Sequence, residues 1–156
     1  MKGKISSGIA AVFLMMAIAS IMPIQACVYY GYTPGFWKNR GLREGLWPTE
    51  YSPTDSVRDV FGNSLLPDIT LLEALQGGGG SGLDGAIKIL LRAAVAGLLN
   101  EGTFGASGWI GGGVWNDGYM YTKDDIIDGV NDAVDTGDRD TILDLAEMLD
   151  IANNMD

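Results

Sequence analysis

From Thr33 onward, apolar residues recur mostly at the three- and four-residue spacing of helices, and caps and glycines mark the breaks. Thr33-Pro34 opens a first segment, 34–46, with proline at the first helical position. Ser52-Pro53-Thr54-Asp55 reads as a second start, with Ser52 as N-cap and Asp55 reaching back, for a short helix that stops near Gly62. Thr70-Leu71-Leu72-Glu73 is a capping box for a helix ending at Gly77. Gly77-Gly78-Gly79-Gly80-Ser81-Gly82 is a hinge by composition, and Ser81 is positioned to cap the longest helix, Leu83 to Leu99. That helix carries a wide apolar stripe of Leu83, Ile87, Leu90, Leu91, Ala94, Val95, Leu98 and Leu99, which predicts the central, most buried element. Lys88 and Arg92 lie on its polar side.

The helical period is lost over 100–121, which is rich in glycine and holds Trp109, Trp115, Tyr119 and Tyr121. Val114-Trp115, Asn116-Asp117-Gly118 and Tyr119-Met120-Tyr121 read as a small hairpin at 114–121, or else as an irregular loop packed on its own aromatics. Thr122 then caps a helix to Val134, with Ile126, Ile127, Val130 and Val134 inward. Asp135, Thr136 and Asp138 are candidate caps for a last helix, whose Ile142, Leu145, Leu149 and Ala152 face the core. The short joint predicts that these two helices are antiparallel neighbours. The pattern therefore predicts a compact all-α domain of five to six helices with one Gly/aromatic-rich insertion.

The first 26 residues have a different character. Lys2 and Lys4 give a positive start, Ile9 to Met22 is apolar apart from Ser20, and Ile24-Gln25-Ala26 ends on a small residue. This is the layout of a secretory signal peptide. The run is short for a membrane span, which needs about 20 apolar residues, and Pro23 follows it. The expected organisation is a signal peptide at 1–26 and one domain at 27–156, with no transmembrane span after cleavage and a secreted or cell-surface location. Cys27 would become the first residue. It is the chain's only cysteine, so no intrachain disulfide can form. Bacterial lipoproteins are acylated on a cysteine at this place; Pro-Ile-Gln-Ala before it is an imperfect lipobox.

Without residues 1–26 the chain has 8 basic and 20 acidic residues, a net of −12. Such acidity argues against nucleic acid, which needs a basic face. It suits an extracellular setting and divalent cations. Asp124, Asp128, Asp132 and Asp135 fall on one side of one C-terminal helix, and Asp140, Asp144 and Glu147 on one side of the other. A solvated acidic face is the plain reading. The functional one is Ca²⁺, with Asp135, Asp138 and Asp140 at the interhelix turn as the candidate ligands, although no EF-hand loop is present.

Other chemistry is constrained by what the sequence lacks. Gly77-x-Gly79-x-x-Gly82 matches the dinucleotide fingerprint in letters, but a helix precedes it where a strand is required. The chain has no histidine, which removes Ser-His-Asp and Cys-His catalysis and every histidine metal site. No catalytic residue is assigned, and no cofactor beyond calcium is expected. A carboxylate-dependent glycoside hydrolase would use Trp37, Trp47, Trp109 and Trp115 as a sugar platform, but no pair of acids can be given its roles from spacing.

The stretch from Tyr29 to Pro48 holds six of the chain's fourteen aromatic residues together with Lys38, Arg40 and Arg43. It reads either as an exposed platform for an anionic partner or as a structural clasp with Phe36, Trp37 and Trp47 buried and Asn39 bonded to backbone. Burial of large rings favours the clasp.

Thr33-Pro34-Gly35-Phe36-Trp37-Lys38-Asn39, with Trp47-Pro48 after it, resembles the motif Thr-x-Gly-Tyr/Phe-Trp-Lys-Asn-His…Trp of a family of exported bacterial and archaeal proteins. The later marks of that family are matched by Leu71-Leu72-Glu73-Ala74-Leu75, Gly77–Gly80, Ala96-Gly97-Leu98-Leu99-Asn100, Gly137-Asp138 and Leu149-Asp150-Ile151-Ala152-Asn153-Asn154. The resemblance thus runs through the domain. It implies little about activity, because the family is described only as secreted or surface proteins. The usual histidine is Arg40 here. Members often continue past Asn-Asn into Gly-Cys-Pro, where this chain has Met155-Asp156; a pairing of that cysteine with an N-terminal one would leave Cys27 without its partner. The expectation is a non-enzymatic, exported surface or extracellular domain for assembly, adhesion or envelope binding, with an unknown envelope or extracellular partner. The alternative is a secreted carbohydrate-active protein, either a glycan binder or a carboxylate-dependent hydrolase.

Overall fold

The computed structural model describes residues 28–111 and 114–155, so the expected signal segment at 1–26 and Cys27 lie outside the described residues. The described chain is helical apart from one small hairpin, as the periodicity predicts. Its α-helices are α1 (Pro34–Phe36), α2 (Val57–Phe61), α3 (Leu71–Gln76), α4 (Leu83–Phe104), α5 (Lys123–Asp135) and α6 (Arg139–Ala152). The hairpin strands are β1 (Gly108–Gly111) and β2 (Val114–Asn116). Among the described residues no helix is long and apolar enough to cross a membrane.

α4 is the axis of the fold. Its residues from Ala93 to Asn100 are all buried, and α3, α5 and α6 pack around it. A helix enclosed on several sides needs apolar residues nearly all round, which is why its stripe is wide. α4 runs five residues beyond the predicted end at Leu99. Its N-cap is Gly82, with no side-chain cap, so Ser81 does not take the predicted role. Leu83, assigned to the buried stripe, is 40% exposed at the helix start.

Local signals set most of the other boundaries. Thr70 and Thr122 each make both halves of a capping box, with Glu73 and Asp125. Hydrogen bonds from the Thr70 N–H and hydroxyl hold the Glu73 carboxyl below its usual pKa, and those from the Thr122 hydroxyl and N–H do the same for Asp125. Asp138, one of three candidates, is the N-cap of α6. Gly137, at φ +64°, makes the turn between α5 and α6. The second helix starts later than predicted. Ser52 N–H donates to Asp55 Oδ2 at 2.7 Å in a turn, and the helix itself begins at Val57 and ends at Gly62, φ +66°.

The hairpin differs from its prediction. Val114–Asn116 is its second strand and pairs antiparallel with Gly108–Gly111, Trp109 opposite Trp115. Asn116-Asp117-Gly118 is therefore not its turn. Asp117 Oδ1 accepts from Val28 N–H at 2.9 Å, and Gly118 pairs with Tyr29. A Cβ on Gly118 would lie 2.9 Å from Ser107 N, so glycine lets two backbones approach there.

Candidate functional site

The motif residues meet in a buried polar knot at the C-terminal ends of α4 and α6. Thr33 Oγ1 caps α1 by accepting from Phe36 N–H at 3.1 Å, and Pro34 is buried at the first helical position. Trp37–Gly41 then continues as a π-helical turn. The wider register turns Trp37 fully into the core, where its Nε1–H donates to Asn100 Oδ1 at 3.0 Å. Gly41 is required beside it, because a Cβ would lie 2.7 Å from Trp37 Cε3. Trp47 is half-buried and closes the turn by donating from Nε1 to the Trp37 carbonyl at 3.2 Å.

Asn100 and Asn153 are the only fully buried polar residues among those described. Asn100 Oδ1 also accepts from Tyr32 N–H at 2.8 Å, while its Nδ2 donates to Tyr32 O at 3.0 Å and to Asn153 Oδ1 at 2.8 Å. Tyr119 donates its hydroxyl to that same Asn153 oxygen at 2.8 Å, and Asn153 Nδ2 donates to Ala93 O at 2.9 Å. Burial pushes the Tyr119 hydroxyl pKa well up, so it stays a donor. The knot joins the N-terminal strap, the first helix, α4, the 117–121 loop and α6. Asn100 ends one motif singled out above and Asn153 lies in another, and here both are structural. Gly31 belongs to the same closure: its N–H donates to Met155 O at 2.8 Å, and a Cβ would stand 2.9 Å from Asn153 Cα.

The rest of the motif faces outward. Gly35 is exposed, and Asn39 Nδ2 donates to Gly35 O at 2.9 Å, as the clasp reading predicts. Arg40 lies over the Phe36 ring, 5.9 Å from its centroid, and pairs with Glu44 at 3.1 Å; Arg43 reaches Glu44 at 3.7 Å. Lys38 has no ion-pair partner among the described residues. Tyr32 stacks on Phe36 at 4.0 Å and meets Phe104 edge-on at 5.2 Å, and Tyr30 meets Phe104 at 5.7 Å. Tyr30, Phe104, Tyr32, Phe36 and Arg40 thus form one continuous strip. Tyr30 and Tyr32 remain about 40% exposed, and Leu42 and Leu46 in the same segment are also exposed. The tryptophans of the stretch thus point inward, and its tyrosines and cations outward. Phe104 was missed by the sequence reading, because it belongs to the strip only through the five extra residues of α4.

Residues 28–49 hold three basic groups and one acid, Glu44, a net of +2; residues 50–156 hold five basic and nineteen acidic groups, a net of −14. Fourteen residues of α6 span about 21 Å. The acidic turn Asp135–Asp140 therefore lies about 20 Å from the knot, at the far end of that helix. In that turn Asp138 Oδ2 accepts from the Thr141 hydroxyl and N–H, which hold its carboxyl below the usual pKa. Asp135 ends α5, and Asp140 lies 3.8 Å from Arg139. Among the described residues no three carboxylates are grouped to hold a metal ion.

Two further features complete the surface. Glu50 and Lys123 pair at 3.2 Å beside Glu101 and the buried Tyr51. Burial raises the Glu101 pKa, and Glu50 adds to it. Shallow depressions of about 260, 330 and 460 Å³ meet at Lys88, between the glycine loop and the start of α4. Asp84 and Glu73 stand in them beside Lys88 and Arg58, so their charge is mixed. The side chains of Trp109 and Trp115 lie outside the described residues. Compared with protein-family models, curated proteins and solved structures, the chain finds no match in any of the three.

Proposed function

We propose that this chain is an exported, non-enzymatic domain of the cell surface or extracellular space, acting by binding or assembly. The observation that carries this reading is the division of labour in the first motif. Its core residues, Trp37 above all, are taken up by a hydrogen-bonded knot that holds the fold, while a basic, aromatic strip remains outward. The apolar segment Ile9–Met22, with its positive start, supports export. The resemblance to secreted and surface proteins supports the same location. Cys27, at the junction between that segment and the strap, is where an acyl chain would be attached.

A sugar platform built on the tryptophans has less support, since Trp37 is fully buried and Trp47 half-buried. The test is protease shaving of intact cells that express the full chain, alongside fractionation of medium, membranes and cytosol. Release of the domain by external protease, or its recovery from the medium, is expected. A protein confined to cytosol and protected from protease would overturn the proposal.

A further inference from the structure

We infer that the strip Tyr30–Phe104–Tyr32–Phe36–Arg40, with Lys38 and Arg43 from the same segment, is a contact face for an anionic phospholipid surface. This rests on the surface reading above and names its partner and its orientation. Three observations converge. The first is composition. Tyrosines combine an apolar ring with a polar hydroxyl, the property that places them at the headgroup level of bilayers. Six of the ten exposed large apolar side chains among the described residues, Val28, Tyr29, Tyr30, Tyr32, Leu42 and Leu46, belong to this one segment; Leu65, Leu83, Met148 and Ile151 lie elsewhere.

The second is charge. The segment is net +2 on a body of −14. An anionic surface attracts the one and repels the other, which selects a single orientation. Glu44 is engaged by Arg40 and Arg43, and Asp117 by the Val28 N–H. Arg40 and Arg43 stay 63% and 74% exposed despite their pairing. The third is chain direction. The strap enters the strip at Val28, directly after the apolar run and Pro-Ile-Gln-Ala-Cys. Whatever holds the chain to a membrane from that side brings this face to it first.

A glycan is the competing occupant, but sugar binding needs an open ring face. Phe36 is covered by Tyr32 at 4.0 Å and by Arg40, and Tyr32 has one face taken, which leaves Tyr30 and the other side of Tyr32 as a small stacking area. The contact is shallow and electrostatic, so it orients the domain and does not anchor it.

The test uses protein purified from cells expressing the full chain, with vesicles of phosphatidylglycerol and phosphatidylethanolamine against phosphatidylcholine alone. Radical footprinting reads side-chain protection. Tyr30, Tyr32 and Phe36 should be protected on the anionic vesicles and not on the zwitterionic ones, and 0.5 M salt should release them. Lys38→Gln, Arg40→Gln and Arg43→Gln together should weaken binding about a hundredfold, at about fivefold per cation, with an unchanged melting temperature. Protection of the α5–α6 face, equal footprints on both vesicles, an unaffected triple variant, or protection by a soluble cell-wall polysaccharide in place of vesicles would overturn the inference. Cell shaving reads location alone, so failure of that assay and failure of this one are separate results.

Discussion

Asn100→Ala is the sharpest perturbation of the knot. The side chain is fully buried and makes four hydrogen bonds, two accepted and two donated. Alanine leaves the Trp37 indole N–H and the Tyr32 N–H without an acceptor and the Tyr32 carbonyl without a donor. Asn153 Oδ1 still accepts from Tyr119. A buried group left unsatisfied costs about 1–3 kcal/mol. Two orphaned donors and a small void together cost about 4 kcal/mol. For a domain of this size that lowers the thermal midpoint by about 12 °C, at roughly 3 °C per kcal/mol.

Trp37→Phe alone should cost about 1–2 kcal/mol, because it removes the same bond from the other side. In the Asn100→Ala background it removes an orphan donor, so its cost there should fall by about 1 kcal/mol. Urea unfolding of the four proteins reads this coupling. Additive effects, or a loss under about 1 kcal/mol for Asn100→Ala, would refute the reasoning. Asn100→Asp is a second probe. It keeps the acceptors but faces two oxygens, so its folded pKa is raised. Its penalty is present above that pKa and is relieved as pH falls through it, so the variant should be more stable at pH 5 than at pH 8.

Four other outcomes follow from particular contacts. Gly31→Ala should destabilise by at least about 2 kcal/mol in thermal melts, because its Cβ meets the α6 backbone, and Gly41→Ala by about 1–3 kcal/mol, because the Trp37 ring must move. Glu73, Asp125 and Asp138 have depressed pKa values, so their contribution is complete above the ordinary carboxylate range near pH 4 and is lost as pH falls through the lower folded values; changing all three to the amides should flatten the acid limb of the stability curve. Glu101, whose pKa is raised, costs stability when ionised, so Glu101→Gln should be neutral to mildly stabilising at pH 7 and lose that advantage in acid. Lys123→Gln leaves Glu50 without its cation, and its destabilisation should shrink at high salt, as a surface pair requires.

Features set within a few residues were legible in the sequence. The capping box at Thr70, the cap at Thr122 and the helix stop at Gly62 depend only on neighbours, and they appear where the sequence puts them. Signals with a distant cause were misread. Asn100-Glu101-Gly102 looked like a helix end, yet Asn100 is satisfied by Tyr32 and Trp37, 68 and 63 residues away, and α4 continues. Asn116-Asp117-Gly118 looked like a hairpin turn, but its acceptor and its missing Cβ serve the strap at Val28–Tyr29. Ser81 had a cap's chemistry without a cap's geometry. The clasp was half legible, since a large ring's preference for burial points Trp37 inward. The choice of Tyr32 to remain outside depends on Phe36 and Phe104 as neighbours, and spacing does not reveal that.

The proposed export signal is followed directly in sequence by the basic, aromatic segment 28–49, so the fate of residues 1–26 tests the proposal most directly. Intact-mass measurement of the protein recovered from the envelope or medium of expressing cells reads that fate. Cleavage after Ala26 predicts a chain beginning at Cys27, bare or carrying acyl mass. A full-length chain from Met1, found only in the cytosol, would contradict it.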